Sequence, residues 1–309
     1  MKRLGKLLFT FGLLLILTGV VILRKDSINT LFNTYFSSNN SKINITDSNN
    51  YYRDKNFKFV QIISDKNPSN YQDLLNVYYT VINSGKDEYT FYCPRTGYDN
   101  CLSDIETIAN NQTLLSNINN YVHPYNAFSH IETEFDSLGK VTITIERNYT
   151  KEIIEKINKK VDELYKKIYD SNKSDEDNIK AFHDYIIDNA KYDSDRSDKG
   201  IVKYKSDTAY GPLFEGYAIC GGYTDLLQLF LEKMGLENYR VSSHLHIWNA
   251  VKIKDKWYHI DLTWDDPVMS DGSNSLLHDY MLIDTKKLLE LEKKEHNFNQ
   301  DVFIELKEK

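Results

Sequence analysis

A thiol, an imidazole and a carboxylate lie within three short stretches of this 309-residue chain: Ala218-Ile219-Cys220-Gly221-Gly222-Tyr223, His246-Ile247-Trp248-Asn249 and His259-Ile260-Asp261-Leu262-Thr263-Trp264. Side chains of these types can together attack an amide carbonyl: the cysteine as nucleophile, a histidine as its base, and the acid to orient the ring. Leu226, Leu227, Phe230, Leu231 and Met234 follow Cys220 at helical spacing until Gly235 supplies a stop. Cys220 is therefore predicted in or just before a first helical turn, where free backbone N–H groups and the positive helix end favour a thiolate. The same donors suit a developing oxyanion, and Gly221 and Gly222 are expected to leave room for a substrate backbone. Taken alone, Cys220 reads more readily as a small buried hydrophobe at a helix start.

The other two groups depend on a hairpin. Residues 239–243 and 247–253 have strand composition, and 257–262 reads as the returning strand. If Lys254-Asp255 is a two-residue turn, Ile253 faces Lys256, Trp248 faces Asp261, and His246 lies diagonal to Asp261 on the same face. One residue of slip would put Asp261 on the opposite face. By the same parity His244 and His259 share that face, so geometry alone leaves three candidate bases. Asp265-Asp266-Pro267 suggests a turn. No spacing of the usual zinc type appears, and neither a metal nor a cofactor is expected.

These groups need elements to position them. A helix beginning at Ser174, with Asp177 as an imperfect capping box, buries Ile179, Phe182, Ile186 and Ala190. Ahead of it an amphipathic helix carries Ile153, Ile157, Val161, Leu164 and Ile168. Residues 51–150 form a predicted α+β segment without evident chemistry: a helix through Leu74 to Ile82, a strand at 89–93, another helix through Ile105 to Ile118, and a hairpin of 128–135 with 141–145. The expected boundaries are 1–25, 26–50 (a polar stalk), 51–150, 151–173 (a connecting helix) and 174–309 (the domain with the chemistry).

Composition narrows the setting. At 41% hydrophobic and 27% charged residues the chain is an ordinary globular protein. Its net charge is −7 although the first 25 residues are purely basic, so the body repels nucleic acid. The apolar run from Leu7 to Leu23, with Lys2, Arg3 and Lys6 before it and Arg24 and Lys25 after, predicts an uncleaved signal anchor. The basic flank places the body outside the cell membrane. A cleaved signal with secretion, and a buried N-terminal helix, are the alternatives. In an oxidising exterior Cys93 and Cys101 are close enough in sequence to be bridged, with Cys220 left over; otherwise all three stay reduced.

Across about 174–284 the three stretches, with Phe182-His183-Asp184-Tyr185-Ile186 and Lys191-Tyr192-Asp193, resemble the transglutaminase-like superfamily, above all its bacterial membrane-anchored or secreted members. The resemblance implies an α+β, papain-like core in which a nucleophile helix packs on an antiparallel sheet. It also implies Cys220 as nucleophile, His246 as base and Asp261 as orienting carboxylate, which selects His246 over His244. The implied activity is peptidase, amidase or transglutaminase-like acyl transfer on a protein, peptide or peptidoglycan-like amide, through a thioester. One departure is plain: eukaryotic transglutaminases use a tryptophan upstream of the nucleophile to help hold the oxyanion, whereas Trp248, Trp257 and Trp264 all lie downstream. Trp248 is read chiefly as core packing that also walls the site. The competing reading is a non-catalytic module of the same fold that binds or scaffolds at the envelope.

Overall fold

The computed structural model describes residues 48–64, 67–94, 96–268 and 275–307. The expected signal anchor and most of the polar stalk lie outside these residues. Among the described residues no helix is long and apolar enough to cross a membrane.

The N-terminal segment opens with helix α1 (Tyr71–Ser84), capped by the Asn70 side chain on Asp73 N and stopped by Gly85 at φ 74°. Strand β1 (Glu88–Tyr92) follows. Cys93 and Cys101 are disulfide-bonded, tying the end of β1 to the start of helix α2 (Cys101–Ala109). The single helix expected through Ile118 is in fact two, because Asn110-Asn111 breaks it: the Asn111 side chain accepts from Leu114 N and starts α3 (Gln112–Asn119). Strands β2 (Phe128–Phe135) and β3 (Lys140–Arg147) form the expected hairpin, and β1 pairs with β3 to give an antiparallel sheet of order β1-β3-β2.

Helix α4 (Lys151–Ile168) buries Ile157, Val161 and Leu164. Helix α5 (Asp175–Asn189) starts as expected at Ser174, whose hydroxyl accepts from Asp177 N at 3.1 Å and donates to the Asp177 carboxylate at 2.8 Å. The two-residue strands β4 (Lys191–Tyr192) and β5 (Tyr217–Ala218) pair in parallel, with short helix α6 (Ser194–Lys199) between them in sequence. Helix α7 (Cys220–Lys233) then begins at the expected cysteine.

A four-stranded antiparallel meander follows: β6 (Asn238–Ser242), β7 (Ile247–Ile253), β8 (Lys256–Ile260) and β9 (Met281–Ile283). Short helix α8 (Leu262–Asp265) leaves β8, and α9 (Thr285–Leu291) follows β9. Both faces of this sheet are buried. Val251, Ile253 and Ile260 pack with Leu226, Leu227 and Phe230 of α7. Tyr239, Val241, Trp248 and Ala250 join a second core with α1, β1 and β3 and with Phe298, Val302 and Phe303 near the C-terminus. Hydrophobic packing is thus continuous across the boundary expected at residue 150.

Polar contacts reinforce that continuity. Arg53 donates to the carbonyls of Tyr121 (3.1 Å) and Asn238 (3.0 Å) and pairs with Glu232 of α7. Arg240 on β6 is buried against Asp225 of α7 at 3.1 Å and also donates to Asn119 O. Tyr149 donates to the other Asp225 oxygen at 2.6 Å. Burial raises the Asp225 carboxyl pKa against the pull of Arg240, so the pair depends on both partners. Arg240→Met leaves a buried carboxylate unpaired and is expected to cost about 3–5 kcal/mol in a denaturant titration. The double variant with Asp225→Leu is expected to recover much of that loss.

Candidate active site

The β7–β8 hairpin turns through Lys254-Asp255 with Ile253 opposite Lys256, Ala250 opposite His259 and Asn249 opposite Ile260. Lys254 takes the positive φ of 56° that the tight turn requires. This is the register that the two-residue turn demands, and it brings the expected groups together. His246 Nε2 stands 2.5 Å from Asp261 Oδ2. Cys220, at the first position of α7 and partly exposed, stands close enough to the His246 ring to act on it electrostatically. Because Nε2 is engaged by Asp261, Nδ1 is the nitrogen left for the sulfur.

The electrostatics follow from this contact. Burial alone would lower the His246 pKa, but the charge and hydrogen bond of Asp261, joined by Cys220, raise it to about 10. Burial would raise Asp261, yet His246 and His296 hold it well below the usual carboxylate range. Asp261 is fixed on its other side as well: Oδ1 accepts from Thr263 N (2.9 Å) and Trp264 N (3.3 Å), so the carboxylate caps α8.

The remaining expected residues take different places. His244 is exposed. His259 is fully buried, accepts from Trp248 Nε1 at 2.9 Å on Nδ1, and meets Thr285 Oγ1 at 2.9 Å on Nε2. Burial, then the charge of His296, lower its pKa to about 3, so it is a neutral structural ring. Trp248 is buried, with its indole stacked on the His246 ring at 5.6 Å and 18°. It backs the imidazole as a core residue and offers no wall to solvent. Gly221 and Gly222 do not open space for a substrate. A Cβ on Gly221 would sit 2.8 Å from Asp207 O, and one on Gly222 would sit 2.3 Å from Ser206 O. The chain's own backbone fills the room these glycines leave.

Two residues near the site were not singled out from the sequence. His296 Nε2 lies 2.9 Å from the same Asp261 Oδ2 that meets His246. Tyr192, paired opposite Ala218 just ahead of Cys220, has its pKa raised by burial and by the nearby Cys220 and Asp198 charges, against its hydrogen bond with Ser197. The Lys191-Tyr192-Asp193 motif was a usable signal for Tyr192. His296 has no local motif.

Behind the site the two acids after Trp264 anchor the scaffold. Asp265 meets His183 Nε2 at 3.1 Å and accepts from Tyr280 N at 3.0 Å. His183 Nδ1 faces Asp184 at 3.0 Å, and Asp184 also binds His278 (2.6 Å) and Lys180. Among the described residues two groups have donor atoms close enough to hold a metal ion, His183-Asp184-His278 and His246-Asp261-His296. In the first the Lys180 ammonium already stands 3.0 Å from His278 Nε2, and in the second both imidazoles are hydrogen-bonded to one carboxylate oxygen.

Asp266 accepts from the buried Tyr223 hydroxyl, and burial outweighs that bond to push its pKa up to about 6. A carboxyl raised in the folded state contributes stability that is complete below its ordinary pKa and is lost as pH rises through about 6. Asp266→Asn keeps an acceptor for Tyr223 and removes the charge. Its melting temperature is expected to match the parent near pH 4 and to exceed it by about 2–4 °C at pH 7.5, read by calorimetry.

Residues 162–262 match the family model of the transglutaminase-like superfamily. No curated protein matches the chain. Among solved structures, a TGase aligns at 17% identity over 44% of this chain and 45% of its own, with a TM-score of 0.33. A "Putative Cysteine Protease from Cytophaga hutchinsonii" aligns at 14% identity over 48% of this chain and 65% of its own, with a TM-score of 0.28. The chain spans less than two thirds of either. Residues 162–262, which contain α7 with Cys220 at its start, the β7–β8 hairpin and Asp261, are a transglutaminase-like superfamily domain within a mixed helix-and-sheet fold.

Proposed function

We propose that the chain is a thiol-dependent acyl-transfer enzyme acting on an amide through Cys220, His246 and Asp261. The observation that carries this reading is the 2.5 Å contact of the His246 ring with the buried Asp261 carboxylate, with Cys220 acting on the same ring. Asp261 fixes the tautomer and orientation of the ring, and His246 holds the proton of Cys220. The sulfur attacks the amide carbon, the C–N bond breaks, and His246 passes its proton to the departing amine, leaving a thioester. Water then attacks the thioester while His246 takes its proton, and the product leaves as a carboxylic acid with the thiol regenerated. The first-turn N–H groups of α7, which a helix leaves without internal partners, are suited to hold the oxyanion.

A second amine in place of water would give a cross-link. Hydrolysis, as a peptidase or amidase, is the favoured outcome because no tryptophan precedes Cys220. The setting we propose is extracytoplasmic, with the chain held at the cell membrane by its N-terminal apolar run. The basic residues around that run and the Cys93–Cys101 disulfide support it. The substrate class is a protein, peptide or peptidoglycan-like amide.

The test is mass spectrometry of the protein after incubation with cell-envelope extract. An acyl adduct on Cys220 that hydroxylamine removes is expected, and none in Cys220→Ala. With a substrate in hand, His246→Ala is expected to lower turnover by about 10²–10⁴-fold. Full turnover by Cys220→Ala would end this reading.

A further inference from the structure

We infer that His296 is a positioning residue for this reaction, a second imidazole that clamps the orienting carboxylate of Asp261 and sets the charge that His246 and Cys220 experience. The inference rests on the Cys220, His246 and Asp261 reading. It adds a residue from outside the matched family region, which ends at 262.

One oxygen of Asp261 meets both rings, His246 Nε2 at 2.5 Å and His296 Nε2 at 2.9 Å, while the other oxygen takes two backbone N–H groups. With His296 in place the carboxylate has no freedom to rotate away from His246. The His296 ring is itself closely packed. It is fully buried, stacked on Tyr280 at 5.5 Å and 20°, and set edge-on to Trp248 (4.9 Å) and His246 (5.4 Å).

The hydrogen-bond partners of this ring are all acceptors. Nε2 faces Asp261, and Nδ1 faces the Glu292 carbonyl at 3.0 Å and a Glu292 carboxylate oxygen at 3.3 Å. Glu292 is held in turn by the backbone N–H groups of Lys294 (2.8 Å) and Glu295 (2.7 Å). Only a ring protonated on both nitrogens satisfies every partner. The titratable groups around it are Asp261 after β8, Glu292 after α9, His246 at the head of β7, His259 on β8 and Tyr280 ahead of β9. A ring so protonated offsets part of the Asp261 charge that His246 and Cys220 face.

The test is the rate of Cys220 alkylation by iodoacetamide from pH 4 to 10, read by intact mass on the full chain with its Cys93–Cys101 bridge in place. His296→Gln keeps an N–H for Asp261 and loses the charge. Its profile is expected to move to higher pH, with the rate at pH 6 down about three- to tenfold. Glu292→Gln keeps the ring and removes the anion behind it, and its profile is expected to move to lower pH. Opposite displacements from two neighbouring changes are a signature that loss of packing does not produce. If His296→Gln does not fold, the Glu292→Gln profile decides. Superimposed profiles, or displacement of both in one direction, overturn the inference while the triad stands, provided His246→Ala still loses the reactivity at pH 6. Undiminished reactivity in His246→Ala removes the triad reading and this inference together.

Discussion

A single buried carboxylate organises this fold's candidate chemistry. Asp261 lies in the interior, where an unpaired charge costs several kcal/mol, and it is satisfied there by two imidazoles and two backbone N–H groups. Each partner arrives on a different element: His246 heads β7, Thr263 and Trp264 open α8, and His296 comes from the segment after α9. The hairpin register, the helix start and the path of the C-terminal segment must all be right before this one charge is comfortable. Cys220 is placed less directly, by α7 packing across the opposite face of the same sheet.

Much of this was legible in the chain. Local signals were strong where local chemistry decides: Ser174 and Asp177 mark a cap, and the apolar spacing after Cys220 a helix, whereas the two-residue turn at Lys254-Asp255 stayed a condition that the observed register meets. Parity then carried His246 to the face of Asp261 without any coordinates. The break at Asn110-Asn111 was missed because apolar periodicity continues through it, whereas the competing hydrogen bond of the Asn111 side chain acts over only three residues. The role of Gly221 and Gly222 was misread because tightness at a glycine is set by whatever packs there, in this case the backbone of 206 and 207. His296 was invisible for the same reason on a larger scale. It lies 35 residues from Asp261, and no periodicity links the two.

The N-terminal segment was expected as a body with its own boundary, yet its core merges with the sheet that carries the site. Periodicity shows which residues are buried but not against what. The sheet needs cover on both faces, since Tyr239, Val241, Trp248 and Ala250 point away from α7. The N-terminal segment and the residues around 298–306 supply it together. Arg53, Arg240 and Tyr121 bind across that seam, the last through its hydroxyl to Val302 O at 2.8 Å.

That last bond joins residues 181 apart in sequence, and it has a consequence for how the molecule comes into being. A ribosome delivers Cys220 and His246 well before the segment that completes the surroundings of Asp261. Residues 292–303 bring His296 to Asp261 and Phe298, Val302 and Phe303 to the sheet face that carries Trp248. A chain interrupted near residue 290 would keep Cys220, His246 and Asp261 and lack the His296 ring and the apolar cover around them.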